Sequence, residues 1–342
     1  MAHNMLRQCV KKSASLGYPR VFFGRSAYVT GEKLMLLRAR SSGAGDASSR
    51  VIIRSAQKKD AASMTDIYNA ESWNYIPETI ETFVDIAGDN FLVAELDGKV
   101  VGSVVLHLLD EKEAFGGLAA IVPELRGKGI VKKMWAERSK RIGGRNLGVF
   151  SVLHRQQILH DSGFQIATDR IGLVSGRINE SWLAAEGENV ETEVVTASKV
   201  PFDLLLKYDT EIHTIPRPMF LEKYLARPSS KSFVAVNKKS GDITGYTIVQ
   251  PGQTAYRIAP LFADSFLISK LLLQKALRSI PKDAEVDLFL NWSNPASCEF
   301  FDKNKDSLGW VIDGVRMFTL RDVPIAHNHK VIALTAPEIT LV

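Results

Sequence analysis

A short basic segment with two closely spaced glycines interrupts the chain at residues 123–134, whose sequence is PELRGKGIVKKM. An apolar stretch precedes this segment, and an amphipathic helical pattern follows it. The first amides of a helix lack partners within the helix, and the helix dipole places partial positive charge there. Gly127 and Gly129 would let the backbone curl closely around an anion, while Arg126 and Lys128 add positive charge. We therefore predict a phosphate-binding turn at the start of a helix.

The context of this turn separates it from other phosphate-binding motifs. A short basic glycine turn is common on protein surfaces, so the four residues RGKG by themselves have little specificity. Their position between a predicted strand and a predicted helix favours a cofactor site. The chain contains neither a Walker pattern nor a Gly-x-Gly-x-x-Gly segment after a strand, which argues against the common nucleotide-binding folds.

The elements that must position this turn form a repeated α/β plan. In residues 51–178, the pattern predicts a strand, a helix, a second helical segment interrupted at Pro77, and a β-hairpin with its turn at Asp97-Gly98. A strand ending in AAIV, a helix, a strand, a short helix and a last strand follow. Residues 191–342 repeat this order, and the polar residues 179–190 are predicted to link the two domains.

In the first half, this succession resembles the GCN5-related N-acetyltransferase (GNAT) superfamily, whose signature is Arg/Gln-x-x-Gly-x-Gly/Ala. The resemblance covers residues 51–178 and implies that the strand before the turn diverges from its neighbour. It also implies that this strand binds the pantetheine arm of acetyl-CoA and that the turn amides bind its pyrophosphate. The residues so implied are Ala120, Ile121, Val122, Arg126, Gly127, Lys128, Gly129 and Ile130.

Two positions depart from the family pattern. The first position of the signature is Glu124, an acid beside a phosphate site. The family often places a tyrosine, which protonates the departing thiolate, four residues before a Gly-Phe pair, and this chain has Leu159 there. His160 is adjacent, but neighbouring helical positions point about 100° apart, so a surface histidine is the alternative.

A general base must take a proton from the acceptor ammonium before its nitrogen can attack a thioester. The candidate bases in the first half are Glu71, Glu78, Glu81 and Glu113, and His160 is a candidate acid. Trp73 and Tyr75 with Glu78 could form an amine-binding pocket by cation–π and ionic contacts. A solvated helix face is the alternative role for these acids.

The second half resembles a diverged acetyltransferase domain of the kind that follows the first in two-domain relatives. Where the first copy has its glycine turn, this copy has RIAPLFADSF, which lacks glycine and should not bind pyrophosphate in the usual way. Arg217, with Asp209 and Arg257, is a candidate contributor to the substrate site. A purely structural partner domain is the alternative.

The formal charge of +5 at pH 7 is concentrated at one end of the chain. Residues 1–50 contain nine Lys or Arg and two acids, whereas the rest contains 34 basic and 36 acidic residues. This distribution argues against a nucleic-acid partner, which would need a basic globular domain. The Arg- and Ser-rich leader is typical of a mitochondrial transit peptide, with a disordered basic tail as the alternative.

The remaining composition excludes several other classes. No apolar run approaches the ~20 residues that span a bilayer, so we predict no membrane partner. Two cysteines far apart and seven histidines without ligand spacing predict no metal site. The sequence thus predicts a mixed α/β (α+β) protein of tandem GNAT folds, each a twisted sheet flanked by helices. The predicted function is direct acetyl transfer from acetyl-CoA to a small-molecule amine; a catalytically silent acyl-CoA-binding or sensing protein and a nucleic-acid-modifying enzyme are the alternatives.

Overall fold

The computed structural model describes residues 47–178 and 191–342. The predicted linker at residues 179–190 and nearly all of the predicted leader lie outside these ranges. The described chain begins with one short helix, α1, at Ala47–Arg50. Within the described ranges, no helix is long and apolar enough to cross a membrane, and no group of His, Cys, Asp and Glu side chains could hold a metal ion.

The first half of the chain alternates strands and helices in the predicted order. Pro77 begins a helix, where its missing amide hydrogen costs nothing, and Gly143 ends another with a φ of +64°. The elements are β1 (Ile52–Ser55), α2 (Ala61–Asn69), α3 (Pro77–Ala87), β2 (Phe91–Leu96), β3 (Lys99–Leu108), β4 (Glu113–Ile121), α4 (Ile130–Ile142), β5 (Asn146–Val152), α5 (Gln156–Asp161) and β6 (Ile166–Gly176).

The second half repeats this order and adds one short strand at its end. The elements are β7 (Thr192–Thr196), α6 (Phe202–His213), α7 (Pro218–Leu225), β8 (Lys231–Asn237), β9 (Ile243–Pro251), β10 (Tyr256–Ala263), α8 (Phe266–Leu277), β11 (Val286–Asn291), α9 (Pro295–Asn304), β12 (Leu308–Phe318) and β13 (Val331–Ala333). Ser265 caps α8 by accepting a hydrogen bond from the Ile268 amide at 3.3 Å.

The thirteen strands form one mixed sheet in the order β1-β2-β3-β4-β5-β12-β6-β11-β13-β10-β9-β8-β7. The pairs β4–β5 and β10–β11 are parallel, and the other pairs are antiparallel. The mixed α/β class is as predicted, but the two halves join in one sheet. β12 lies between β5 and β6, and β6 pairs on its other side with β11. The two halves therefore exchange strands: β12 of the second half pairs with β5 of the first, and β6 of the first half pairs with β11 of the second.

One apolar core connects the two halves. It contains Tyr68 and Phe83 from α2 and α3, together with Ile212 and Tyr224 from α6 and α7. α4 packs in a separate cluster through Ile130 and Met134. The exchanged strands and the shared core bring side chains from both halves close to β4.

Candidate active site

β4 and β5 diverge halfway along their length. They pair from Glu113 with Asn146 as far as Gly116 with Val149. Beyond that point β4 continues to Ile121 with β3 as its described neighbour, while β5 pairs with β12. One edge of β4 at residues 117–121 is therefore left without a strand partner in the described sheet. Extended ligands commonly pair with such an edge through backbone hydrogen bonds.

A bulge in β4 lies at the beginning of this free edge. Leu118 has a φ of +48°, which is left-handed and uncommon for a leucine. Its carbonyl accepts hydrogen bonds from the Ser103 hydroxyl at 3.1 Å and the Tyr68 hydroxyl at 3.4 Å. Both side chains are buried, so they hold this bulge in a fixed position.

The predicted glycine turn connects the free edge to α4. Gly127 and Gly129 have φ values of +76° and +79°, where a side chain would be strained. Gly129 is the N-cap residue of α4 and has no side chain with which to cap it. The turn is exposed, so the first amides and the positive end of the helix dipole face solvent. This geometry suits a phosphate.

The charged residues of the turn have different partners. Arg126 donates from Nε to the Ile121 carbonyl at 3.0 Å and pairs through Nη2 with Glu71. This pair ties the loop after α2 to the turn. Lys128 is exposed and therefore accessible to an anion at the same place.

A small cavity lies between the end of β4 and the start of α4. Predicted residues Ala120 and Ile121 line it from the strand, and Val131 and Trp135 line it from the helix. Most of its lining is apolar, as the pantetheine arm of a coenzyme would require. The cavity therefore lies beside the free edge of β4, which leads on to the glycine turn.

The corresponding place in the second half is closed. β10 and β11 pair in parallel only at Tyr256 with Val286 and at Arg257 with Asp287. Beyond these two pairs, β13 fills the gap and bonds to both strands. The segment after β10 also lacks the glycine turn. Among the described residues, a diverging parallel strand pair followed by a glycine turn therefore occurs in the first half and not in the second.

The face of β4 that points away from α4 contacts the second half of the chain. A Cβ atom on Gly117 would lie only 1.9 Å from the carbonyl oxygen of Glu338, so the segment after β13 contacts this strand directly. The Glu338 carboxylate pairs with Arg257 at 3.3 Å, and its Oε2 atom is buried without a hydrogen-bond partner among the described residues. Arg257 also donates to the Trp73 carbonyl at 3.2 Å.

The predicted substrate residues of the first half gather around this contact. Trp73 stacks on Tyr68 with ring centroids 5.2 Å apart, and Tyr75 lies under the Arg257 guanidinium at 5.0 Å. Tyr75 is buried, and burial raises its pKa well above the ordinary value of 10. A small cleft between the halves is lined by Asn74, Tyr75, Thr79, Phe83, Tyr224, Gln250, Pro251 and Arg257.

Two other predicted substrate residues make contacts within the protein. Glu78, in the first turn of α3, bonds to Ser229 of the second half. Arg217 is buried and forms five hydrogen bonds, two of them to Asp209. It therefore holds the core of the second half together, and in the described structure its side chain is too buried to contact an acceptor.

The predicted catalytic residues do not come together. Glu113 is buried where β4 and β5 remain paired, and it binds Arg321 and Asn146. It lies five residues from the bulge at Leu118, or roughly 16 Å along the strand, so it cannot reach the free edge of β4. His160 is exposed on α5 beside Asp161, while Leu159 packs into the core. Glu71, paired with Arg126 at the turn, is the predicted base that lies near the site.

Sequence reasoning missed several residues that border the site. Tyr68 and Ser103 at the β4 bulge and Glu338 of the last segment come from distant parts of the chain, so no local pattern indicates them. Arg138 could have been found. It follows Met134 and Trp135 at helical spacing and therefore belongs to the face of α4 that packs on the sheet.

Comparison with known proteins identifies one family in both halves of the chain. Residues 61–157 match the acetyltransferase (GNAT) family, and residues 205–332 match an acetyltransferase (GNAT) domain. Together the two matches span about two thirds of the chain. No curated protein matches the chain.

Solved structures with the same fold extend over most of the chain. A putative acetyltransferase from Pyrococcus horikoshii superimposes with a TM-score of 0.66 at 19% identity, covering 85% of this chain and 96% of its own. A tandem GNAT protein from the clavulanic acid biosynthesis pathway superimposes with a TM-score of 0.59 at 14% identity, covering 78% and 98%. At these identities the likeness concerns the fold.

Proposed function

Because the chain belongs to the GCN5-related N-acetyltransferase superfamily and contains two domains of its fold, we propose that its first half transfers an acetyl group from acetyl-CoA to an amine of a small molecule. The observation that supports this proposal is the free edge of β4 leading into the left-handed glycine turn at Gly127 and Gly129. The second half has neither feature among its described residues, so we propose that it helps to bind the acceptor amine.

The free edge and the turn would bind different parts of the coenzyme. The amides at the start of α4 and Lys128 bind the pyrophosphate, and the edge of β4 at Ala120–Val122 binds the amides of the pantetheine arm. The cavity lined by Val131 and Trp135 covers the arm from the helix side. This places the thioester near the bulge at Leu118.

The acceptor would approach from the other face of β4, through the cleft between the halves. Tyr75 and Arg257 line that cleft, and Glu338 pairs with Arg257 beside β4. The amine nitrogen attacks the thioester carbonyl carbon, a C–N bond forms, the C–S bond breaks, and the coenzyme leaves as a thiolate. Before the attack, the ammonium loses one proton to a carboxylate, for which Glu338 is our candidate. The nitrogen loses a second proton as the amide forms, and this proton neutralises the departing thiolate.

The substitution Gly127→Asp tests the coenzyme site. It places an acid at the phosphate and forces a side chain into a left-handed backbone conformation. Two like unit charges 4 Å apart repel by about 1 kcal/mol in water and about 4 kcal/mol near a protein surface. We expect acetyl-CoA to bind the full chain in a calorimeter and to bind the Gly127→Asp variant at least about tenfold more weakly.

A matched control is available in the same half. Gly98 has a φ of +79°, and a Cβ atom there would contact nothing within 4 Å, as at Gly127. Gly98→Asp should therefore cost similar backbone strain while leaving acetyl-CoA binding unchanged. Failure of the parent chain to bind acetyl-CoA would refute the proposed function, and equal binding by both variants would refute the site.

A silent acyl-CoA-binding protein is the second candidate function, because Leu159 stands where the family often has its tyrosine acid. Release of free coenzyme thiol with a panel of small amines separates the two. An acetyltransferase releases thiol in proportion to acetylated amine, whereas a binder releases none while still binding acetyl-CoA.

A further inference from the structure

Arg138 is a buried cation on the face of α4 that packs on the sheet. The residue is 4% exposed. Burial lowers its pKa from 12.5 to about 10, so it remains positively charged at neutral pH. Among the described residues no carboxylate pairs with it, and its Nε atom has no hydrogen-bond partner. Buried charges in proteins are ordinarily paired or bound to a ligand.

A second unpartnered donor lies beside it. The Trp135 Nε1 atom is buried without a hydrogen-bond partner among the described residues. The Arg138 guanidinium lies 4.7 Å from the centre of the Trp135 ring. Two adjacent groups that can only donate leave a local excess of donors, which suits an anionic ligand with several acceptor lone pairs.

These donors lie where the divergence of β4 and β5 begins. The Nη1 atom of Arg138 lies 3.1 Å from the position that a Cβ atom on Gly116 would take, and Gly116 with Val149 is the last pair of the two strands. Trp135 also lines the small cavity beside the free edge of β4. Arg138 therefore lies at the inner end of the proposed coenzyme site, beyond the bulge, and the Trp135 ring lies between it and the cavity.

We propose that Arg138 and Trp135 bind a carboxylate at the end of the acyl group, so that the preferred donor is the coenzyme A thioester of a dicarboxylic acid such as succinate. This inference rests on the proposed function, because it places the thioester at Leu118. Two strand residues span about 6.6 Å from Leu118 to Gly116. The three C–C bonds of a succinyl group reach about 4 Å, and a charge-assisted hydrogen bond of about 2.8 Å covers the remainder.

The chemistry of transfer is the same for this donor. The acceptor amine attacks the thioester carbonyl, the C–N bond forms as the C–S bond breaks, and the terminal carboxylate passes unchanged to the product. Arg138 does not contact the reacting atoms and serves as a specificity residue. The product is an amide with a free carboxylate.

The test compares succinyl-CoA with butyryl-CoA, which has the same chain length without the charge. Calorimetry on the full chain should show succinyl-CoA binding at least about tenfold more tightly than butyryl-CoA, because the uncharged chain leaves Arg138 buried without a partner. Equal or weaker binding of succinyl-CoA would overturn the inference without any substitution being made.

Two variants of α4 locate the effect. Arg138→Met removes the buried charge with little change in length and should bring the two affinities within about twofold of each other. Lys140→Met removes one charge from the same helix at a side chain that is 72% exposed, and it should preserve the preference. A preference that survives Arg138→Met would overturn the assignment of the carboxylate to Arg138.

The outcome also separates this inference from the proposed function. Binding of acetyl-CoA and butyryl-CoA without a preference for succinyl-CoA would leave the acetyltransferase proposal standing and refute the inference. If none of the three thioesters bound, the proposed function itself would be refuted, and the inference with it.

Discussion

The second half should tolerate poorly the loss of either partner of its buried ion pair, Asp209 and Arg217. The side chains are 0% and 2% exposed, and Arg217 donates to Asp209 at 2.7 and 2.8 Å. Burial alone would raise the pKa of Asp209, but the adjacent guanidinium outweighs this effect and lowers it. Arg217 also bonds to Thr335, Thr340 and Val342, which fixes the last segment of the chain.

We expect Asp209→Asn to lower the free energy of unfolding by about 3–5 kcal/mol, because it leaves a buried guanidinium without its counter-charge. Urea unfolding at pH 7 measures this loss. The double variant Asp209→Leu, Arg217→Met should cost less than Asp209→Asn, since no uncompensated charge remains. It still removes the donors for the hydroxyls of Thr335 and Thr340, so some loss should persist.

An exposed ion pair in the same half provides the control. Lys239 pairs with Glu191, and their side chains are 77% and 61% exposed. Lys239→Met should cost less than about 1 kcal/mol, because solvent screens exposed pairs. If Asp209→Asn cost no more than Lys239→Met, our assignment of a structural role to the buried pair would be wrong.

Two further predictions concern the contacts that the last segment of the chain makes through Glu338, Ile339 and Thr340. Burial lowers the pKa of His107 to about 4 and that of His213 to about 3, both below the unfolded value of 6.5. As the pH falls, these histidines therefore bind protons in the unfolded chain before they do so in the folded protein. The free energy of unfolding, measured with urea, should fall by about 2 kcal/mol per histidine from pH 7 to pH 5. An unchanged urea midpoint over this range would contradict the prediction. Gly117→Ala should weaken folding and slow turnover, because its Cβ atom would clash with the Glu338 backbone at 1.9 Å. Gly309→Ala, whose nearest contact is 3.7 Å, should change neither, and equal effects of the two would refute the contact.

Much of the fold was predictable because its signals are local. The hairpin turn at Asp97-Gly98, the break at Pro77 and the turn at Gly127 and Gly129 each depend on the backbone preferences of one or two residues. The mixed α/β class and the repeated order of elements follow from such signals. The predicted coenzyme-binding residues occupy one stretch of chain, so the sequence also placed them together.

The candidate acceptor and catalytic residues were harder to predict because they depend on contacts between distant segments. Glu113 looked suitable beside a cofactor strand, yet nothing local indicates that it lies where the strands remain paired. Arg217 looked like a polar substrate contact, but its buried partner Asp209 gives it a structural role. Glu338 reaches β4 from more than 200 residues away.

The sequence by itself determined the class of fold, the position of the glycine turn and the absence of such a turn in the second half, because backbone preferences and hydrophobic periodicity act over a few residues. Only the tertiary structure decided that β12 and β6 exchange places and that β13 closes the second site. It also decided that Arg138 lies buried without a carboxylate partner among the described residues. Strand order and the pairing of buried charges depend on long-range packing, which a linear pattern does not specify.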